Sequence, residues 1–230
     1  MSHIMKAFQQ HGYYVFLGVG AISMLILMLC RRQKYLLSIM QASLYTILLL
    51  ICGITGAKLL FFIESGFSNF SGMSFYGAVY LVLILMPVVG FAFQMSPMES
   101  LNACAPCVAS IIGFMRFGCW CAGCCGGWVM YVGSIYFTWP TQIMESIGDF
   151  IILAWLLRSE SKKCEKTMLY PMFLIWYGIL RFFVEFFRYI PEKWMGLGHG
   201  QWFSILAILI GFMCIKIENR KNNYPKVGGA

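Results

Sequence analysis

Long apolar runs dominate this sequence and limit the chain to a membrane fold. A helix needs about 20 apolar residues to cross the ~30 Å hydrocarbon core of a bilayer. Seven apolar runs can be distinguished along the chain. We interpret the fifth as the weakest span, because its continuous apolar part covers only residues 143–157. No repeat or linker divides the chain, so we predict one integral membrane domain over residues 1–230. Its fold is predicted to be an all-α polytopic membrane helix bundle of about seven transmembrane helices, at residues 13–30, 43–63, 73–93, 101–118, 140–157, 168–187 and 201–217.

The composition supports a membrane protein and excludes a soluble domain. Hydrophobic residues make up 60% of the 230 residues and charged residues 11%, whereas soluble domains carry roughly 25% charged residues. The formal net charge is +8. Cations next to membrane spans are attracted by anionic lipids, so this charge indicates membrane lipids as partners and requires no nucleic acid.

The basic residues favour one orientation in the membrane. Cytoplasmic loops of bacterial membrane proteins are enriched in Lys and Arg. Only Lys6, Arg188 and Lys193 lie on the opposite side of the predicted spans. We therefore predict that the N-terminus is outside and the C-terminus inside, with one basic cluster after each of the first, fifth and seventh spans: Arg31, Arg32, Lys34; Arg158, Lys162, Lys163, Lys166; Lys216, Arg220, Lys221, Lys226.

Charged residues inside the spans are candidates for function. A charge at membrane depth costs at least ~2.5–3.5 kcal/mol on insertion scales. In "YGILRFFVEFFRY", Arg181, Glu185 and Arg188 are spaced to share one helical face. They either form an internal ion pair that permits insertion, or clamp an anion, because arginine can bind a phosphate through two hydrogen bonds.

Two further cations lie at a similar predicted depth. Arg116 is near the outward end of the fourth span, and Lys58 lies in the second span. If they converge with Arg181, the group suits the phosphate of a lipid head group. For Lys58 the alternative is an isolated lysine that extends to the membrane interface.

Two carboxylates open the fifth span in "WPTQIMESIGD". Glu145 and Asp149 are four residues apart, so they share one face of a helix. One interpretation is that the carboxylates lie near the helix N-terminus because the positive end of the helix dipole stabilises them there. The other is that Glu145 orients an arginine or accepts a proton in a pocket.

The ten cysteines form two groups that we expect to lie far apart. Cys104 and Cys107 start the fourth span, about 22 Å from the segment "RFGCWCAGCCGG" at its other end. Its cysteines are Cys119, Cys121, Cys124 and Cys125, and we interpret them as a structural disulfide or as small residues packed tightly among glycines. A four-thiolate metal site is disfavoured because two of the cysteines are adjacent. We therefore expect no metal and no cofactor.

Three segments together resemble the prolipoprotein diacylglyceryl transferase family of bacterial inner membranes. "RFGCWCAGCCGG" is similar to the family's Arg-Gly signature, and "WPTQIMES" is similar to its His-Pro-Thr-Gln-Leu-Tyr-Glu motif. "YGILRFFVEFFR" resembles its Tyr-Gly-x-x-Arg-Phe-x-x-Glu-x-x-Arg motif closely. "GHGQWFS" and "TGAKLLFF" also resemble family segments, so the resemblance covers about residues 45–215.

The resemblance implies an enzyme activity. A diacylglyceryl group would move from phosphatidylglycerol to the lipobox cysteine thiol of a preprolipoprotein, and glycerol phosphate would leave. Arg116 and Arg181 would hold the phosphate and stabilise charge on the leaving group, with Glu185 fixing Arg181. The implied substrate-binding residues are Lys58, Gln142, Glu145, Arg188, and two glycines that allow close backbone approach, Gly118 and Gly127. The implied location is the bacterial cytoplasmic membrane, as a multi-pass protein.

The sequence departs from the family pattern where a histidine would be expected. Tyr76 lies where the family has His-Gly-Gly, and Trp139 replaces the histidine before Pro140. Cys119 and Cys124 stand at about the places of the family's Asn and acidic residue. Tyr76 is the positional candidate for the group that accepts the thiol proton. The alternative functions are a membrane thiol–disulfide oxidoreductase that uses the outer cysteines and a non-catalytic lipid-binding paralogue.

Overall fold

The structure of the chain is a computed structural model that describes residues 3–69, 72–133, 135–161, 168–188 and 194–223. Within these ranges it has seven α-helices and one β-hairpin. Short 3₁₀ helices at Arg32–Tyr35 and Glu185–Phe187 extend the ends of α1 and α6. The helices are α1 (His3–Arg31), α2 (Ile39–Glu64), α3 (Phe75–Ala92), α4 (Pro97–Ala122), α5 (Thr141–Ser161), α6 (Leu169–Val184) and α7 (His199–Asn223).

The predicted helical membrane fold is confirmed. Six of the helices in the described residues are long and apolar enough to cross a membrane. The helix outside that set is α5, which carries Gln142, Glu145 and Asp149 in its first half. It corresponds to the run that the sequence marked as weakest. The orientation in the membrane stays a prediction, and Lys162, Lys163, Lys166, Lys193 and Lys226, on which it partly depends, lie outside the described residues.

A β-hairpin that was not predicted from the sequence lies in the loop between α4 and α5. Strands β1 (Val129–Val132) and β2 (Ile135–Thr138) pair antiparallel, with Val129 opposite Thr138. The segment is rich in β-branched and aromatic residues, which favour strands. Its side chains Tyr131 and Tyr136 are exposed, as is Trp128 just before it.

Local sequence signals set the ends of two central helices. Ser38 caps α2 and exchanges hydrogen bonds with Gln41. Ser96 caps α4 in the same way with Glu99. In both capping boxes the serine side chain satisfies a backbone N–H that has no partner within the helix.

Helix α4 is the centre of the bundle and packs against α1, α5, α3 and α6. Small residues permit this close packing, because they let helix backbones approach each other in membranes. A Cβ atom on Gly113 would lie 3.0 Å from the Phe150 ring on α5. On the other side, a Cβ on Gly20 would lie 3.1 Å from the Ile111 side chain. The position of α4 therefore brings residues from α1, α5 and α6 to its two ends.

Candidate active site

Three helices bring oppositely charged side chains together at the C-terminal end of α4. Arg116 of α4 pairs with Glu145 of α5, with 2.5 Å between Nε and Oε2. Arg181 of α6 pairs with the other oxygen of the same carboxylate. The exposed fractions are 9% for Arg116, 2% for Glu145 and 7% for Arg181, so all three charges are buried. Glu145 is thus the shared partner of the two predicted phosphate-binding arginines.

A second carboxylate extends this arrangement to the end of α6. Glu185 Oε2 lies 2.7 Å from Nη2 of Arg181 and 3.6 Å from Nη1 of Arg188. These pairs follow from the spacing of four and three residues that places the side chains on one helical face. Gly200 of α7 packs against this carboxylate, since a Cβ atom there would lie within 2.4 Å of Oε1. We call the five residues Arg116, Glu145, Arg181, Glu185 and Arg188 the outer cluster.

The outer cluster has hydrogen-bonding capacity for an anion. Each arginine offers five N–H donors. The ion pairs engage Nε of Arg116, both Nη atoms of Arg181 and Nη1 of Arg188. Three guanidinium groups therefore share two paired carboxylates, and their remaining donors suit the several oxygens of a phosphate group.

A third carboxylate, Asp149, lies one turn beyond Glu145. It is fully buried at 0% exposure. Both of its oxygens lack a hydrogen-bond partner among the described residues, although Arg116 influences it electrostatically. Tyr177, one turn before Arg181, is also buried and interacts electrostatically with Arg116 and Asp149. The site thus contains polar groups that the protein itself does not fully satisfy.

The loop after α4 is held against the start of α5. The Gln142 side chain donates a hydrogen bond of 2.6 Å to the carbonyl of Cys124. Thr141 donates one of 3.0 Å to the carbonyl of Cys125. Gln142 thus holds the loop that carries Cys124 and Cys125, the cysteine loop, against α5. Its role in shaping a substrate pocket stays a prediction.

The two glycines assigned to close backbone approach both face other parts of the protein. A Cβ atom on Gly118 would lie 3.2 Å from the carbonyl oxygen of Tyr13, so this glycine allows α1 to pack against α4. A Cβ on Gly127 would lie 2.3 Å from the carbonyl oxygen of Phe187. Gly127 also forms an isolated β-bridge with Arg188, which ties the loop to the end of α6.

Tyr76 and Lys58 lie on α3 and α2. The Tyr76 hydroxyl is 2.5 Å from Ser204 Oγ, and Ser204 donates its own proton to the carbonyl of Gly200. The Tyr76 hydroxyl therefore donates to Ser204, and Arg181 and Glu185 influence it electrostatically. Lys58 is half-buried on α2, which packs mainly against α3 and α1. Its place in a phosphate pocket stays a prediction, as does the proton-accepting role of Tyr76.

The outer cysteines are free thiols, and three of them converge. No disulfide joins the cysteines among the described residues. The Sγ atoms of Cys119, Cys124 and Cys125 all lie within 4.8 Å of one another. Hydrogen bonds from the Cys119 and Cys124 thiols, together with the Arg188 and Arg116 guanidiniums, lower the pKa of the Cys125 thiol below its usual value. Sequence reasoning grouped four cysteines and missed this set of three.

Comparison with known proteins gives one consistent family. The sequence profile of prolipoprotein diacylglyceryl transferase matches residues 1–217. The chain is 30% identical to phosphatidylglycerol–prolipoprotein diacylglyceryl transferase 2 of Clostridium perfringens, over 94% of this chain and 95% of the relative. It is 30% identical to the enzyme of Clostridium tetani, over 90% and 93%. It is also 30% identical to that of Ehrlichia canis, over 66% of each chain. The chain therefore belongs to the prolipoprotein diacylglyceryl transferase family.

Proposed function

We propose that this protein transfers a diacylglyceryl group from phosphatidylglycerol to the lipobox cysteine of a preprolipoprotein at the outer face of a bacterial cytoplasmic membrane. The observation that carries the proposal is the buried outer cluster. Charges at membrane depth are costly and are usually functional, so the two buried arginines of this cluster, Arg116 and Arg181, require an explanation. The relatives that align over nearly the whole chain are named for phosphatidylglycerol and a prolipoprotein as substrates, which supports the same reaction.

The carboxylates hold the arginines ready for an anion. Glu145 contacts both Arg116 and Arg181, and Glu185 contacts Arg181 from its other side. A guanidinium fixed in this way loses little conformational freedom when it binds a phosphate. Donors that are oriented before the reaction stabilise developing charge most effectively.

The chemistry places its negative charge next to these arginines. The lipobox thiol gives up its proton to water or to Tyr76, the predicted acceptor. Its sulfur forms a bond to the diacylglyceryl carbon that carries the phosphate oxygen, and the bond between that carbon and that oxygen breaks. The electron pair stays on the oxygen, so glycerol phosphate leaves with one more negative charge. Arg116 and Arg181 would stabilise that charge, while Arg188 and Lys58 would bind the lipid head group. Gly118 and Gly127 would act indirectly, by letting α1 and the cysteine loop pack against the site.

An assay in detergent tests the proposal. The purified protein is mixed with phosphatidylglycerol and a lipobox peptide, and glycerol phosphate release is measured together with the mass of the peptide. We expect the product of diacylglyceryl addition, and we expect Arg181→Ala to lower its rate by about 100-fold or more, because loss of one preorganised donor costs 10²–10³ in rate. Arg158→Ala is the matched control, since Arg158 is an exposed arginine on α5.

The other outcomes separate the competing functions. An unchanged rate in Arg181→Ala would contradict the role of the outer cluster. Bound phosphatidylglycerol without any product would point to a lipid-binding paralogue. No product, together with a cysteine pair that alternates between alkylatable and protected forms as reductant is added and removed, would favour the thiol–disulfide oxidoreductase.

A further inference from the structure

Three thiols meet at the point where α4 ends. The Sγ atoms of Cys119, Cys124 and Cys125 lie within 4.8 Å of one another, so small side-chain movements would let one metal ion bind all three. Cys119 is buried, whereas Cys124 and Cys125 are exposed. The set is therefore anchored in the bundle and open on one side.

The backbone of the loop explains how two adjacent cysteines can face the same point. Adjacent side chains in an extended segment point to opposite sides. Here Gly123 ends α4 at φ 68°, and Cys125 has φ 63°. Few residues other than glycine adopt this left-handed conformation, because it costs conformational energy. The turn directs Cys124 and Cys125 back towards Cys119, whose carbonyl accepts the Cys124 backbone N–H at 3.1 Å.

The fourth cysteine of the segment is excluded from the set. Cys121 packs against α1, where a Cβ atom on Gly12 would lie 3.1 Å from the Cys121 Cβ. Structural zinc sites have four protein ligands, whereas catalytic sites have three and leave one position open. A set of three thiols that is open to the surface therefore has the pattern of a catalytic site, with three protein ligands and one open position.

We propose that Cys119, Cys124 and Cys125 bind a zinc-class divalent metal ion as thiolates, and that the open coordination position takes the cysteine thiol of the incoming protein substrate. Thiolate ligands select zinc over the hard cations that prefer oxygen. The metal site is argued from the three thiols alone, and its catalytic part rests on the proposed function.

The surroundings connect the three thiols to the outer cluster. Arg116 and Arg188 influence Cys125 electrostatically. Gln142, one turn before Glu145, donates to the carbonyl of Cys124. A thiol bound at this metal would therefore lie beside the arginines that we assign to the lipid phosphate, which is the arrangement that transfer between the two requires.

The metal would promote loss of the thiol proton in a chain that has no histidine within its predicted spans. A metal-bound thiol loses its proton at neutral pH, in the same way that zinc acidifies bound water. The proton of the substrate thiol leaves to water, its sulfur forms the bond to the glyceryl carbon, and the bond from that carbon to the phosphate oxygen breaks with its electron pair on the oxygen. No oxidant or reductant is consumed. The histidine position is held by Tyr76, whose hydroxyl donates to Ser204.

Metal binding can be tested without any activity measurement. The full-length protein is purified under reducing, anaerobic conditions, and its zinc content is measured before cobalt(II) is titrated into the chelator-treated protein. We expect one metal per chain and the intense absorption of thiolate-bound tetrahedral cobalt. Cys125→Ser and Cys119→Ser should lose this absorption, whereas Cys121→Ser is the matched control and should keep it. Equal spectra in all four proteins would overturn the site.

Transfer assays then separate the metal site from the proposed function. Chelator-treated wild-type protein should lose about 100-fold in rate and recover with zinc, while Cys125→Ser should not recover. Full transfer in a protein with all three cysteines changed to serine would overturn the catalytic part of the inference and leave the proposed function intact. Cobalt binding without transfer in any preparation would support the metal site and refute the proposed function. A disulfide within the set in protein taken directly from membranes, without zinc, would refute the metal site.

Discussion

Two buried charged clusters lie at opposite ends of α4, and they differ in how completely the protein satisfies them. At the N-terminal end of α4, Arg31 pairs with Glu160 through Nε at 2.6 Å and Nη2 at 2.8 Å. Its remaining donors bind the carbonyls of Ala103 and Asn102 and the hydroxyl of Tyr35. Glu160 also accepts a hydrogen bond from Tyr35. We call Arg31 and Glu160, with Tyr35, the inner cluster.

The outer cluster has ion-pair distances similar to those of the inner cluster, but its arginines contact a different set of groups. It lies about 20 Å from the inner cluster, the length of α4 between Ala103 and Arg116. Its arginines form ion pairs with the side chains of Glu145 and Glu185. The neighbouring Asp149 has no hydrogen-bond partner among the described residues. In the inner cluster, backbone carbonyls accept hydrogen bonds from the N–H groups of Arg31 that Glu160 does not use. A buried charge that is saturated by the fold joins helices, whereas one with free donors can bind a ligand.

The sharpest test of this contrast replaces each ion pair with apolar residues. Arg181→Met with Glu185→Leu should lower transfer by more than about 100-fold, because it removes donors for the phosphate. Arg31→Met with Glu160→Leu should leave transfer within a factor of about two, since distant sites act independently. A well-packed apolar pair often replaces a buried ion pair without loss of stability. Transfer rates and thermal midpoints in detergent measure both effects, and equal losses of transfer in the two proteins would break the comparison.

A smaller effect is expected where only the position of a carboxylate changes. Gly200→Ala places a methyl group within 2.4 Å of Glu185 Oε1, so the carboxylate must move relative to Arg181 and Arg188. We expect transfer to fall by between about tenfold and 100-fold, because small displacements in a site have costs of this order. Gly18→Ala is the control, since a Cβ atom there meets nothing within 4 Å. Equal rates for the two variants would show that the position of Glu185 is unimportant.

The smallest effect is expected on stability, from the unpartnered carboxylate. Asp149→Asn keeps the shape of the side chain and removes a potential buried charge that lacks hydrogen bonds. We expect the thermal midpoint to rise by about 2–4 °C, the shift that corresponds to 1 kcal/mol in a chain of this size. Glu160→Gln in the inner cluster should lower the midpoint, because that carboxylate is fully used by Arg31 and Tyr35. A lower midpoint in Asp149→Asn would mean that its carboxylate has a stabilising partner.

The helices and part of the site could be predicted from the sequence because their signals are local. Apolar runs gave helix positions to within a few residues over most of the chain. The spacing of Arg181, Glu185 and Arg188 placed them on one face, and the pairs between them are present. Distances along one helix are fixed by its geometry, so such pairs require no knowledge of the tertiary fold.

The contacts between helices could not be predicted in this way. That one carboxylate, Glu145, serves both Arg116 and Arg181 depends on how three helices pack. From the sequence, Arg31 is predicted to be one of the basic residues of a cytoplasmic loop. Its ion pair could not be predicted, because its partner Glu160 lies 129 residues away. The set of three cysteines depends on a left-handed residue at Cys125 and on the contact of Cys121 with α1. Neither feature has a sequence signal, because cysteine rarely adopts positive φ.

The low hydropathy of α5 has a consequence for how the protein is made. If α5 spans the bilayer as predicted, the chain must insert a helix that is not among the six described helices apolar enough to cross a membrane. Glu145 is neutralised by Arg116, which is synthesised before it, and by Arg181, which is synthesised after it. We therefore expect α5 to leave the insertion machinery at low cost only beside α4, and to reach its final position only after α6 is synthesised. We thus expect the residues that we assign to lipid binding also to set the order in which the central helices assemble.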